Sequence, residues 1–188
     1  MFSLNHALER LGFKSTIASD PQQIRDPDLL VLPGVGNFSA ASRNLESLRE
    51  RILELAEEGV SILGICLGMQ LLFSESEEGE GQGLGLFQGK NIRLPDRLKV
   101  PHMGWNTVDI VGQNRILNDV ENKSYVYFVH SYYPVPLERE IVVAETTYGV
   151  TFPSVVEREN IYGTQFHPEK SGESGLRILR NLLRIIRR

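Results

Sequence analysis

The first half of the chain alternates continuous apolar runs with helically spaced apolar positions. Continuous runs are typical of strands buried on both faces, and apolar positions three and four residues apart are typical of amphipathic helices. In chain order, the predicted elements are a helix over 5–11 that stops at Gly12, a strand over 13–18, a strand over 28–32, a helix from an N-cap at Ser39 to a C-cap at Gly59, a strand over 60–65 and an apolar helical segment over 69–73. This alternation predicts a parallel sheet with helices on both faces.

The second half of the chain has a different pattern. Residues 74–85 are acidic and glycine-rich, which predicts a surface loop. The segments that follow are β-like stretches over 91–111, 125–129 and 141–144, a candidate hairpin of 154–158 with 161–166, and a C-terminal amphipathic helix over 174–188. We therefore predict a single α/β domain over 1–188, with a three-layer, doubly wound, mostly parallel sheet and an additional antiparallel β portion in the C-terminal half.

Composition and charge exclude several classes of function. The 188 residues are 41% hydrophobic and 23% charged, as in ordinary globular proteins. The formal charge of -4 gives no overall attraction to nucleic acid or to an anionic membrane surface. The longest uncharged apolar stretch, 60–72, is shorter than the roughly 20 residues of a membrane-spanning helix. A single cysteine permits no internal disulfide and the first residues carry no secretory signal, so we expect a cytoplasmic protein.

Cys66 lies at the junction of a predicted buried strand and a predicted helix, between Gly64 and Gly68. This is the pattern of a nucleophile elbow, a tight turn in which a side chain at either glycine would crowd the nucleophile. A helix N-terminus also favours a thiolate and offers backbone N–H groups to an oxyanion. The pattern alone leaves a buried structural cysteine open as the alternative.

A cysteine nucleophile needs a base, and the four candidates are His6, His102, His130 and His167. Pro168 favours an extended conformation for His167, so Glu169 points the same way as His167. Glu169 can then bind one ring nitrogen while the other faces Cys66, in the manner of a catalytic triad. Taken alone, the string His-Pro-Glu is also compatible with a surface turn. We expect no metal site, because no pair of histidines has ligand spacing and there is no second cysteine.

The string over 64–70, together with 166–169, resembles the class I (triad) glutamine amidotransferases, which hydrolyse glutamine and pass the ammonia to a second active site. Within that class, the strings over 32–38, 101–106, 128–132 and 165–171 resemble the glutaminase subunit of imidazole glycerol phosphate synthase. The similarity extends along nearly the whole chain. It implies a flavodoxin-like α/β fold and no cofactor.

The resemblance also implies a role for particular residues. Cys66 would attack the side-chain amide of glutamine, His167 would protonate the ammonia and then activate water, and Glu169 would orient His167. The implied oxyanion positions are Gly34, Val35, Gly36 and Leu67. The implied substrate contacts are Gln70, Glu78, Ser131 and Tyr132. For Glu78, a solvated position in the acidic loop is the alternative.

For partners, the resemblance implies a heterodimer with the cyclase subunit. That subunit would combine the ammonia with a phosphoribulosyl formimino-aminoimidazole carboxamide ribotide, giving imidazole glycerol phosphate and an aminoimidazole ribotide in histidine biosynthesis. The implied interface positions are Met103, Trp105, Tyr127 and Lys170. A core position for Met103 or Trp105 and a solvated charge for Lys170 are the alternatives. Two other functions stay open: the glutaminase of another triad amidotransferase, for pyridoxal phosphate or anthranilate synthesis, and a catalytically crippled binding subunit.

The chain departs from the family pattern at its first residue. Family members begin with a β-strand and a glycine-rich turn, and roughly a dozen residues of that pattern are absent here. Because the first strand of a doubly wound sheet is usually central, we expect two neighbouring strands to lack a hydrogen-bonding partner and a groove to open in the core.

Overall fold

A computed structural model describes residues 2–34 and 36–187 of the chain. The helices of these ranges are α1 (Phe2–Arg10), α2 (Phe38–Leu45), α3 (Arg49–Glu57), α4 (Leu67–Leu71) and α5 (Gly172–Ile186). The strands are β1 (Leu29–Leu32), β2 (Ser61–Ile65), β3 (Phe73–Ser76), β4 (Phe87–Arg93), β5 (His102–Thr107), β6 (Asp109–Ile110), β7 (Tyr125–His130), β8 (Tyr132–Pro136), β9 (Val142–Thr147), β10 (Thr151–Arg158) and β11 (Ile161–Thr164). None of these helices has the length and hydropathy that crossing a membrane requires.

The central sheet is built around β2. Within the described residues its strand order is β1, β2, β11, β10, β9, β6. Both neighbours of β2 run parallel to it, with Leu32 opposite Gly64 and Thr164 opposite Ile65. The strands β10, β9 and β6 continue the sheet by antiparallel pairing. The α/β class and its antiparallel extension are thus confirmed, and the carboxyl ends of β1, β2 and β11 meet at one edge, where such sheets bind ligands.

β2 is buried along its whole length, and its alternate side chains enter two separate cores. Ile62 packs in a core shared with Phe38 of α2 and Ile52 of α3. On the opposite face, Leu63 packs in a core that includes residues of α1 and α5, among them Ile178. Burying each such aliphatic side chain stabilises the fold by roughly 1.5–3 kcal/mol. Helices therefore cover both faces, which gives the three layers that the apolar runs predict.

The predicted strand over 13–18 is wrong. Those residues form no strand, and the side chain of Ile17 is 67% exposed. Among the described residues β1 pairs with β2 alone, so it lies at the edge of the sheet. Alternating apolar positions form a strand only where a neighbouring strand accepts their hydrogen bonds, and no such neighbour lies beside 13–18.

The predicted long helix over 39–59 is two helices. The N-cap is Asn37, two residues before the predicted Ser39, and its side chain accepts a hydrogen bond from the N–H of Ala40. Backbone bonds to the third preceding residue, from Glu46 and from Leu48, tighten the chain between α2 and α3. Gly59 follows α3 at a φ of +84°, in the left-handed conformation expected of a glycine that ends a helix.

Two smaller sheets complete the fold. β3 joins β4 and β8, and it includes residues 74–76, so the predicted surface loop over 74–85 is wrong for its first three residues, which belong to a strand that pairs with β4. β5 and β7 form an antiparallel pair, which we call the β5–β7 ribbon, with Trp105 opposite Tyr127 and His102 opposite His130. The backbone of Tyr127 also accepts a hydrogen bond from the N–H of His167, so the ribbon is joined to the segment that follows β11.

Candidate active site

The turn between β2 and α4 is a strained elbow with Cys66 at its apex. Cys66 has φ 54° and ψ -108°, a conformation that residues other than glycine rarely adopt. A Cβ atom on Gly64 would lie 2.5 Å from the carbonyl oxygen of Gly68, and one on Gly68 would lie 1.7 Å from the carbonyl oxygen of Leu32. Both glycines of the predicted elbow are therefore required by close backbone contacts.

The loop after β1 packs against this elbow. A Cβ atom on Gly34 would lie 2.4 Å from the Cβ of Leu67. Gly36 has a φ of +122°, which favours glycine, and both glycines line the same cavity as Cys66. Val35, the third residue of the predicted oxyanion loop, lies outside the described residues.

His167 and Glu169 lie just beyond the end of β11. His167 Nδ1 is 2.9 Å from Glu169 Oε1 and both side chains are buried, so the predicted contact is present, although Glu169 lies in a 3₁₀ turn and not in an extended segment. A short 3₁₀ turn over Pro168–Lys170 then leads into α5. The other ring nitrogen, His167 Nε2, is buried and has no hydrogen-bond partner in the part of the chain that is described.

The thiol of Cys66 is buried. Burial raises its pKa to about 12, and the backbone N–H of Leu67 opposes that rise without cancelling it. Its sulfur is 3.5 Å from the carbonyl oxygen of Val129 and 3.7 Å from Nε2 of Gln165. The N–H group at the helix N-terminus thus favours the thiolate, as the elbow predicts, but desolvation of the charge outweighs it in the resting chain.

A cavity of about 230 Å³ opens at the carboxyl edge of the parallel strands. Its walls include Gly34, Gly36, Cys66, Leu67, Gln70, Glu78, Ser131, Tyr132 and His167. The described residues of the predicted catalytic, oxyanion and substrate sets thus converge on one space, with Glu169 behind His167.

Two of the predicted substrate contacts have additional bonds that fix them in place. Gln70 is buried, and its Nε2 donates to the carbonyl oxygen of Tyr132 at 2.8 Å. Glu78 Oε2 accepts a hydrogen bond from the N–H of Phe38 at 2.6 Å, which holds the acidic loop against the start of α2. Glu78 is half-buried and forms part of the cavity wall.

Gln165 was not predicted as a site residue, and His130 was considered only as one of four candidate bases. Gln165 is fully buried, and its amide lies between the sulfur of Cys66 and the side chain of Gln70. His130 lines the cavity beside Ser131. A sequence signal existed for Gln165, since it is two residues before His167 in an extended segment and so points the same way.

The predicted interface residues form one exposed patch at the outward face of the β5–β7 ribbon. Met103 and Trp105 are 63% and 56% exposed, which excludes the core alternative for both. The ring of Trp105 meets that of Tyr127 with centroids 5.9 Å apart, and Lys170 Nζ lies 6.0 Å from the Tyr127 ring centroid. Exposed aromatic and methionine side chains are enriched in protein interfaces.

Comparison with known proteins identifies the class. The family model for glutamine amidotransferase class-I matches residues 2–186, so the chain belongs to that family and is an enzyme of the glutamine amidotransferase class. The same fold is found in PurLQS from Thermotoga maritima, with a TM-score of 0.77 and 22% identity over 98% of this chain and 92% of that one.

Curated relatives narrow the class further. Imidazole glycerol phosphate synthase subunit HisH from Methanothermobacter thermautotrophicus is 50% identical over 186 residues, which cover 98% of this chain and 93% of the relative. The subunit of the same name from Archaeoglobus fulgidus is 50% identical over 188 residues, covering 99% of this chain and 93% of the relative.

Proposed function

We propose that this chain is the glutaminase subunit of an imidazole glycerol phosphate synthase and that it supplies ammonia to a cyclase subunit in histidine biosynthesis. The observation that carries the proposal is the convergence of Cys66, His167 and the glycine loop on one cavity. The choice of synthase is supported by the relatives named as that subunit, which are 50% identical to this chain over nearly its whole length.

The first half of the reaction makes a thioester. His167 Nε2 takes the proton of the Cys66 thiol as the sulfur attacks the amide carbon of glutamine. The negative charge on Glu169, 2.9 Å from Nδ1, stabilises the imidazolium that forms. Collapse of the tetrahedral species breaks the carbon–nitrogen bond, and the same proton leaves with the ammonia.

The second half releases glutamate. His167 takes a proton from water, whose oxygen attacks the thioester carbon, and the proton returns to the departing sulfur. Each half passes through an oxyanion, and the N–H of Leu67 is a donor at the elbow for that charge. The loop of Gly34, Val35 and Gly36 is the second source of donors in this proposal.

The cavity walls suit the remainder of the glutamine molecule. Glu78 places a carboxylate where the α-ammonium group of glutamine would gain a charge-assisted hydrogen bond. Gln70, Ser131 and Tyr132 line the same space and would fix the orientation of the amide. Because the resting thiol has a raised pKa, attack depends on glutamine placing its amide carbon beside the sulfur while His167 removes the proton.

The exposed patch of Met103, Trp105, Tyr127 and Lys170 is the proposed contact surface for the cyclase subunit. The side chain of Tyr127 contacts Trp105 within this patch, and its backbone carbonyl accepts a hydrogen bond from the N–H of His167. A partner seated on the patch would therefore lie directly behind the catalytic base.

The experiment that tests this function is glutamate release by the chain alone and mixed with an imidazole glycerol phosphate cyclase subunit and its ribotide substrate. We expect strong stimulation by the mixture. Matched controls replace the cyclase with the synthase partner of pyridoxal phosphate or anthranilate formation. Stimulation by one of those partners instead would identify another triad amidotransferase, and no release in any mixture would support the crippled binding subunit.

A further inference from the structure

Two buried histidines, His102 and His130, have no part in the steps above. They face each other across the β5–β7 ribbon, and 3% and 5% of their surfaces are exposed. The ring of His102 is stacked between the rings of Phe128 and Tyr148, with centroids 4.8 and 4.1 Å away. Since buried imidazole nitrogens require partners, the hydrogen bonds around this pair determine which nitrogen carries each proton.

The hydrogen bonds allow one order of donors and acceptors. His130 Nδ1 is 3.0 Å from the carbonyl oxygen of Tyr132, which can only accept, so Nδ1 carries the proton. His130 Nε2 must then accept from His102 Nδ1, 3.0 Å away. His102 Nε2 in turn accepts from the amide of Asn106 at 3.4 Å. Burial lowers the pKa of His102 to about 4 and that of His130 to about 3, so both rings are neutral, as this order requires.

The chain of hydrogen bonds continues from Tyr132 to the nucleophile. The same Tyr132 carbonyl accepts from Gln70 Nε2 at 2.8 Å, and Gln70 Nε2 lies 3.3 Å from Gln165 Oε1. Gln165 Nε2 donates to the sulfur of Cys66 at 3.7 Å. An unbroken polar path therefore leads from Asn106 on β5 to the reacting sulfur.

The outer end of this path lies on the same strand as the exposed patch. Side chains of β5 alternate between the two faces of the ribbon, so His102 and Asn106 point inward while Met103 and Trp105 point outward. A shift of β5 that accompanies binding at Met103 and Trp105 must also move the two inward donors.

We propose that His102 and His130 are positioning residues that couple the Met103–Trp105 face to glutamine turnover by holding the Tyr132 carbonyl, and through it Gln70 and Gln165, in place around Cys66. This inference deepens the function proposed above and rests on it. Leaving a buried acceptor without its donor costs free energy, so arrangements in which one hydrogen bond of the path is broken are disfavoured.

The test compares two substitutions of His102 in complexes with the cyclase subunit. His102→Phe keeps the aromatic stack but leaves His130 Nε2 without a donor. His102→Asn places an amide N–H where Nδ1 was, so it keeps the donation to His130. We expect cyclase stimulation of glutamate release to fall about tenfold in His102→Phe, with a raised KM for glutamine, and to stay within about threefold of the unmodified chain in His102→Asn.

Two results would overturn the inference. One is full stimulation of His102→Phe, and the other is equal impairment of both variants, because it would show that keeping the donor to His130 in His102→Asn does not preserve the coupling. Co-elution of each variant with the cyclase subunit in size-exclusion chromatography verifies that the variant still binds the cyclase. If the unmodified chain is not stimulated at all, the proposed function fails and not this inference alone.

A measurement on the unmodified chain covers the case in which His102→Phe does not fold. Long-range proton–nitrogen NMR spectra report which ring nitrogen carries the proton in each histidine. We expect the Nδ1–H form for both His102 and His130 at neutral pH. An Nε2–H form of His130, or a doubly protonated ring, would break the path and contradict the inference.

Discussion

Substituting Gly68 by alanine probes the contact that sets the position of the nucleophile. The added Cβ would lie 1.7 Å from the carbonyl oxygen of Leu32 and 2.7 Å from its carbonyl carbon. Ordinary carbon–oxygen contacts are about 3.3 Å or longer, so α4 and β1 must separate by roughly 1.6 Å. Both partners are backbone, and neither can rotate away.

The loss of folding stability in Gly68→Ala follows from two opposing effects. Overpacking of a well-packed site costs about 1–3 kcal/mol, and alanine regains up to about 1 kcal/mol over glycine inside a helix. We take the upper end of the first range and expect a net loss of about 2 kcal/mol, which lowers Tm by about 4–8 °C in a chain of this size. Because the displacement moves Cys66 and the N–H of Leu67 together, kcat for glutamate release should fall by about 100-fold.

The assay measures Tm by calorimetry and glutamate release at 25 °C, with Gly12→Ala as the matched control. Gly12 has a φ of +86°, and no atom lies within 4 Å of the place a Cβ would occupy, so its substitution strains the backbone far from the site. We expect Gly12→Ala to lower Tm by a comparable amount and to leave kcat unchanged. A Gly68→Ala variant whose Tm and kcat equal those of the unmodified chain would show that the contact with Leu32 does not set the position of Cys66.

Three further predictions concern the site and the ribbon. Glu169→Gln removes the charge that stabilises the His167 imidazolium, so kcat for glutamate release should fall by about 10²- to 10⁴-fold, and an unchanged kcat would exclude that role. With the pKa of Cys66 raised to about 12, its alkylation by iodoacetamide should accelerate about tenfold per pH unit from pH 7 to 10 with no plateau, whereas a plateau below pH 9 would indicate a stabilised thiolate. The pKa values of His102 and His130, lowered to about 4 and 3, lie below the value of 6.5 for an unburied imidazole, so the unfolded chain binds more protons below pH 6.5 and stability is lost as the pH falls toward 4. At pH 5 the protonation of His102 accounts for about 2 kcal/mol of the lost free energy of unfolding. Urea denaturation should therefore show a free energy of unfolding that depends less steeply on pH in His102→Asn. An equally steep dependence in the variant would contradict the lowered pKa of His102.

The elements that the sequence predicts correctly are those whose own residues determine them. The run over 60–65 has apolar residues on both of its faces, and the structure buries β2 from both sides. The requirement for Gly64 is equally local, since a side chain there would meet Gly68 and Met69, whereas Gly68 is required by the carbonyl group of Leu32 in β1.

The failures involve information that lies elsewhere in the chain. Residues 13–18 alternate as a strand does, but alternation does not reveal whether a neighbour exists to pair with them. The break between α2 and α3 leaves the apolar spacing of Leu45, Leu48 and Ile52 intact, so periodicity passes through it unseen.

The chemistry of the site divides in the same way. The pairing of His167 with Glu169 involves two residues that are two positions apart, and the structure contains it, with Glu169 in a 3₁₀ turn. The raised pKa of Cys66 and the contact of its sulfur with Gln165 depend on desolvation by distant strands. No local sequence pattern reveals that burial, so the protonation state of the thiol cannot be predicted without the three-dimensional structure.

The most direct test of the central claim is synthesis of imidazole glycerol phosphate by the complex of a Cys66→Ala chain with the cyclase subunit, with glutamine or with ammonium salt as the nitrogen source. We predict that glutamine-dependent synthesis is abolished and that ammonia-dependent synthesis equals that of the unmodified complex, because Cys66 acts solely in releasing ammonia. Glutamine-dependent synthesis that survives the substitution would contradict the assignment of Cys66 as the nucleophile and of this chain as the glutaminase.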